Sequence, residues 1–90
     1  MRPARKIVNA IQVILNEVKD QLLPEDVTNA RELLEHNEWG LALSLICDQL
    51  YESGLPINQT TYDKIAALSE EMGLPPHEWK FLEEFVIHSR

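Results

Sequence analysis

Apolar residues recur at helical spacing along nearly the whole chain. Ile7, Ile11, Ile14, Leu15, Val18 and Leu22 are separated by steps of three or four, which predicts one buried face of a first helix. Pro24 ends it, because proline lacks an N–H and restricts the residue before it. The same proline suits the first position of a second helix, with Glu25 and Asp26 placed where negative charge meets the positive end of the helix dipole. Val27, Ala30, Leu33 and Leu34 form the stripe of that helix, and His36-Asn37 closes it, since Asn tolerates the left-handed conformation.

A third helix is predicted from about Glu38 to Ser53. Trp39, Leu41, Ala42, Leu43, Leu45, Ile46, Cys47, Leu50 and Tyr51 cover most of its circumference and leave a polar strip of Ser44, Asp48, Gln49 and Glu52. A helix this apolar has to be central. Gly54-Leu55-Pro56 and Gly73-Leu74-Pro75 both read as a left-handed glycine, a leucine folding back and a proline that blocks continuation. Between these stops, Tyr62, Ile65, Ala66, Leu68 and Met72 mark a fourth helix capped by Asn58, Thr60 or Thr61. A last helix is expected after Pro76, with Trp79, Leu82, Phe85 and Val86 inward. No stretch alternates with period two, so no strand is expected. The resulting fold class is all-α: a compact single-domain bundle of about five helices over residues 1–90.

Charge narrows the partners. Fifteen acidic and eight basic side chains leave a net charge of −7 on 90 residues. The imbalance is local: residues 1–6 carry Arg2, Arg5 and Lys6, whereas residues 32–84 hold eleven acids against Lys64 and Lys80. Such a surface repels polyanions, which argues against direct nucleic-acid binding, and it speeds encounter with a basic protein. Ordinary solubility also favours charge of this size. The lone Cys47 excludes an internal disulfide, and polar residues interrupt the N-terminal apolar run too often for a signal peptide or a membrane span. A soluble cytoplasmic protein is the expectation.

Candidate chemistry is sparse. His36, His77, His88 and Cys47 lack ligand spacing, so no metal or cofactor is expected. Cys47, flanked by Ile46 on the most apolar helix, reads as a small buried hydrophobe in preference to a nucleophile. Asp48 and Glu52, Glu70 and Glu71, and Glu83 and Glu84 form carboxylate pairs, but acid/base chemistry needs a pocket that separates their pKa values, and exposed helix faces do not supply one. No enzymatic function is expected. Trp39 and Trp79 are in phase with apolar stripes and read as core, while Tyr51 can bring its hydroxyl to the rim of an acidic face.

The segment Ala30-Arg-Glu-Leu-Leu-Glu-His-Asn-Glu-Trp-Gly-Leu-Ala-Leu-Ser-Leu-Ile-Cys-Asp-Gln-Leu-Tyr-Glu52 resembles the signature of the MafI family of bacterial immunity proteins. Similar hairpins there have a leucine-rich helix, a turn with Glu-Trp-Gly, and a helix ending in Cys-Asp/Glu-x-Leu-Tyr-Glu. The order downstream also fits, with a Tyr-containing helix, Met-Gly-Leu, and a proline-started segment bearing Trp79 and Phe81-Leu82, so the resemblance spans roughly residues 25–85. It implies a cytosolic antidote that binds the C-terminal domain of a secreted or contact-dependent toxin, often an RNA-cleaving domain of EndoU type, and it implies no catalytic residues. An acidic binder complements the basic cleft of a ribonuclease. On the charge map, Asp48 and Glu52 are the leading candidates for toxin contact, because they share the narrow polar strip of an otherwise buried helix; Glu35, Glu38, Glu70 and Glu71 follow. The alternative is a small helical adaptor that docks a partner peptide or helix in a hydrophobic groove.

Overall fold

Ile7, Ile11, Ile14, Leu15 and Val18 are all buried on one side of α1 (Ala4–Val18), as their spacing requires. The computed structural model describes residues 4–87; Arg2 and His88, singled out above, lie outside them. A 3₁₀ turn (Lys19–Gln21) leads to α2 (Pro24–Glu35), which starts on Pro24 as expected. The chain reverses at Asn37, whose φ of 61° is left-handed. The Asn37 N–H reaches the Leu34 carbonyl and the Glu38 N–H the Leu33 carbonyl, at 3.1 and 2.8 Å, so the last carbonyls of α2 are satisfied.

Helix α3 (Trp39–Ser53) follows and buries Ala42, Leu43, Ile46, Cys47 and Leu50. It packs against α1, α2 and the C-terminal segments, and is therefore the central element that its composition demanded. Helix α4 (Gln59–Glu71) is capped by Asn58, whose side-chain oxygen accepts the Thr60 N–H at 2.8 Å. It lies against α1, where Glu17 accepts a hydrogen bond from Thr61 Oγ1 at 2.6 Å and pairs with Lys64. One core joins Ile7, Ile11, Leu43, Ile46, Leu50, Ile65 and Leu82 across these elements. The all-α bundle is thus built from four α-helices and short 3₁₀ segments among the described residues.

Three expectations are corrected. The region after Pro76 is not an α-helix; it forms two 3₁₀ segments, Pro76–Glu78 and Lys80–Phe85, joined at Trp79. The i→i+3 bonds from Trp79 N–H to Pro76 and from Leu82 N–H to Trp79 have a physical reason in the sequence. Trp79, Leu82 and Phe85 are spaced by threes, which eclipse on a 3₁₀ helix and drift on an α-helix. Two short strands are also present: β1 (Ile57–Asn58) and β2 (Val86–Ile87) pair in parallel, with Ile57 opposite Val86. Two residues are too few to show a period of two.

The third correction concerns the helix stops, which are not equivalent. At Gly73 (φ 77°) the Leu74 N–H returns to the Ser69 carbonyl at 2.9 Å, and Leu74 packs inward, its Cδ2 3.6 Å from where a Cβ on Gly40 would stand. At Gly54 (φ 64°) the Leu55 N–H goes instead to Ser53 Oγ, and Leu55 stays 45% exposed. The apolar residue returned to the core there is Ile57, fully buried on β1, and the Pro56 carbonyl is held by Gln21 Nε2 at 2.7 Å. Leu74→Ala should therefore lower unfolding free energy by about 1–2 kcal/mol, and Leu55→Ala by no more than about 0.5 kcal/mol. Urea denaturation of the two variants measures the difference, and equal losses would contradict the assignment.

Candidate functional site

Helix α3 turns its polar strip outward because every other direction is occupied by the core. Ser44, Asp48 and Glu52 follow at steps of four, one above another along that strip. Asp48 and Glu52 are exposed, and Ser44 is half-buried. The 3₁₀ segment Pro76–Glu78 crosses here, and Ser44 Oγ donates to Glu78 Oε1 at 2.6 Å. Three carboxylates thus share one face. Partial burial, followed by the charges of Glu78 and Glu52, holds the Asp48 carboxyl above its ordinary value of 3.8.

Two depressions border this face. One, of about 530 Å³, is lined by Asp48, Tyr51, Glu52 and Phe81. The other, of about 400 Å³, lies between α3 and the α1–α2 connection and is lined by Asp20, Leu22, Leu23, Asp26, Gln49 and Glu52, among others. Glu52 belongs to both, and among the described residues neither is lined by a lysine or arginine. Leu23, 60% exposed, and Tyr51, 45% exposed, add apolar surface to the acidic rim. The face can therefore offer negative charge and aromatic contact together. That pairing suits a basic protein surface.

The structure brings the leading pair, Asp48 and Glu52, into this one site and keeps the other candidates apart from it. Glu35 and Glu38 are exposed at the α2–α3 reversal, where Glu38 lines a separate depression with Glu32, Leu33 and His36. Glu70 is exposed and Glu71 half-buried at the end of α4, beside the start of α3 through the Leu74–Gly40 approach. The length of α3, about 1.5 Å per residue, separates that end from Glu52. Asp20, Asp26 and Glu78 belong to the site and were not selected from the sequence as contact residues. Glu78 had no signal, since its place depends on the fold of the last segment.

Cys47 and Tyr62 sit in the core, whereas His36 and His77 are exposed. Burial, with smaller contributions from Asp48 and Glu78, pushes the Cys47 thiol up to about 12, which leaves it protonated and a poor nucleophile at neutral pH. Tyr62 is buried beside Trp79 (ring centroids 6.1 Å) and donates to Glu83 Oε2 at 3.2 Å; burial and that carboxylate raise it to about 12. Trp79 is buried and Trp39 half-buried against the core. Among the described residues no three His, Cys, Asp or Glu side chains are grouped as metal ligands, and no helix is long and apolar enough to cross a membrane.

Two carboxylates predict opposite pH behaviour. Glu17, bonded to Lys64 and Thr61, is held below its ordinary value of 4.5, so its contribution to stability is present above that pH and lost as pH falls through the lowered value. Asp48 is raised, so its penalty is absent below 3.8 and grows as pH rises through the raised value. Glu17→Gln should destabilise at neutral pH and Asp48→Asn should stabilise, both differences vanishing in acid; urea titrations from pH 3 to 7 read the two signs. Cys47 should resist an aromatic disulfide reagent in the native protein and react fully once the chain is unfolded in denaturant. Rapid modification of the native protein would place the thiol at the surface.

No protein-family model, curated protein or solved structure matches this chain, so a functional reading rests on its own residues.

Proposed function

We propose that this protein is a stoichiometric, non-enzymatic toxin inhibitor. In this reading it is a cytosolic immunity protein that neutralises the C-terminal nuclease domain of a secreted or contact-dependent bacterial toxin, an EndoU-like ribonuclease in the first instance. The observation that carries the reading is the α3 face, where Asp48 and Glu52 are joined by Glu78, Asp20 and Asp26 around exposed Tyr51 and Leu23 without a lining cation among the described residues. A ribonuclease cleft is basic because it holds a polyanion. A rigid acidic surface competes for the same Lys and Arg side chains and accelerates encounter through its field. The resemblance of residues 30–52 to MafI immunity proteins supports the same reading from the sequence.

The adaptor reading has one observation in its favour. Ala10, Val13, Ile14, Ala67 and Leu68 line, together with Lys64, a mainly apolar depression of about 260 Å³ between α1 and α4. Lys64 is paired there with Glu17, so a partner docked on the apolar residues would associate with weaker dependence on salt than one held by the acidic face.

The experiment asks first whether the adjacent open reading frame encodes a large secreted protein with a basic C-terminal domain; an adjacent frame of another kind counts against the reading. That domain is then co-expressed with this chain, and growth rescue and association kinetics are measured. Growth should recover, and the association rate should fall steeply between low and moderate salt. Reversing both charges, Asp48→Lys with Glu52→Lys, should slow association by about tenfold or more while the helical circular-dichroism spectrum is retained. An unchanged rate in a folded variant removes this face from the interface; salt-independent binding favours the α1–α4 groove.

A further inference from the structure

Tyr51 is 45% exposed although it stands on the most apolar helix of the protein. Its ring is nevertheless held in place. Phe81 meets it edge-to-face, with centroids 5.3 Å apart and planes at 82°, and Phe85 lies 5.4 Å away at 58°. Two neighbours from the C-terminal 3₁₀ segment thus fix an aromatic platform at the surface. Tyr51 and Glu52 follow Asp48 at i+3 and i+4, so each lies beside Asp48 on α3. Together with Phe81 they line the depression of about 530 Å³, and Glu78 adds a third negative charge beside Asp48.

We propose that this depression is a socket for an arginine side chain projected by the partner protein. A guanidinium is planar and stacks on an aromatic face, and its fork of N–H donors can serve a carboxylate through two bonds. Tyr51 and Phe81 supply the aromatic walls, and Asp48 and Glu52 the acceptors. An ammonium would satisfy the charge without the stacking plane or the fork, so lysine is the poorer fit. The depression is open to solvent on one side, so the arginine stem can enter from the partner while the guanidinium meets the lining residues. Beyond Glu52, the second depression with Asp20, Asp26 and Leu23 continues the same acidic surface under the residues flanking that arginine. In the inhibitor reading, on which the identity of the partner rests, the arginine belongs to the RNA-binding surface of the toxin; the chemistry of the socket is independent of that source.

The test is an NMR titration of the ¹⁵N-labelled full chain with N-acetyl-arginine amide at low salt, alongside the lysine and citrulline analogues. Saturable shifts are expected at the amides of Asp48, Tyr51, Glu52 and Phe81. Lysine should bind about two- to fivefold more weakly, and neutral citrulline should lose the shifts. Tyr51→Ala and Glu52→Gln should each weaken arginine at least about twofold, and Tyr51→Phe should retain it because the ring persists. Glu52→Gln changes an exposed side chain and keeps the test open if Tyr51→Ala unfolds. Equal binding of arginine and lysine, shifts as large at Glu35, Glu38 and Glu70, or full binding by folded Glu52→Gln would overturn the socket. Self-association abolished by Glu52→Gln would assign it to a second copy and overturn the partner assignment. If the arginine probe binds and the toxin domain does not, the inhibitor reading falls and the socket stands; the reverse result removes the socket alone.

Discussion

The burial of α3 on nearly all sides governs the rest of this structure. Ala42, Leu43, Ile46, Cys47 and Leu50 are each almost fully removed from water, and at about 25 cal/mol per Å² their apolar surface is a leading driving force for folding. A helix with that composition cannot be stable at a surface, so α1, α2 and the C-terminal 3₁₀ segments are arranged around it. What α3 leaves for solvent is Asp48 and Glu52, with Leu41 and Tyr51 beside them and Ser44 and Gln49 half-buried. The element that organises the core therefore also presents the most constrained polar surface of the molecule.

How far this was legible follows from what each feature depends on. The four α-helices and most of their limits come from local chemistry: apolar periodicity, Pro24 at a helix start, Asn37 and Gly73 in left-handed conformations and Asn58 as a cap. Helix α1, expected to continue through Leu22 to Pro24, instead stops at Val18 and gives way to a 3₁₀ turn. The local signals act within a few residues, and elsewhere the chain obeys them. The C-terminal region depends on partners far away in sequence. Val86 pairs with Ile57, and Glu78 meets Ser44. No local rule contains those contacts, so an α-helix was expected where two 3₁₀ segments form, although the spacing of Trp79, Leu82 and Phe85 by threes was a readable sign. The two Gly-Leu-Pro stops diverge for the same reason: Ser53 and buried Ile57 redirect the chain after Gly54, whereas Leu74 finds Gly40.

The candidate site divides along the same line. Asp48 and Glu52 were legible because a narrow polar strip on an apolar helix has one direction to face. Glu78, Asp20, Asp26 and Phe81 were not, because each arrives from another element. The platform under Tyr51 needs both Phe81 and Phe85, which stand four residues apart on the last segment. That segment thus serves the surface chemistry as well as the core.

Glu17 and Asp48 show two ways for a small acidic protein to carry a carboxylate. Glu17 is matched, with Lys64 and Thr61 drawing its pKa down and fastening α1 to α4. Its charge works for the isolated fold. Asp48 is mismatched, since burial and the charges of Glu78 and Glu52 raise its pKa, and the free protein gains nothing electrostatic from keeping them together. An arrangement that is unfavourable alone becomes favourable when a cation enters, because each carboxylate then gains an opposite charge and the mutual repulsion is relieved. Because α3 fixes the backbone, the conformational entropy lost at that step is confined to the Asp48 and Glu52 side chains. The electrostatic mismatch around Asp48 and the fixed ring of Tyr51 therefore both favour a positive charge at this face, which no described residue lining it supplies.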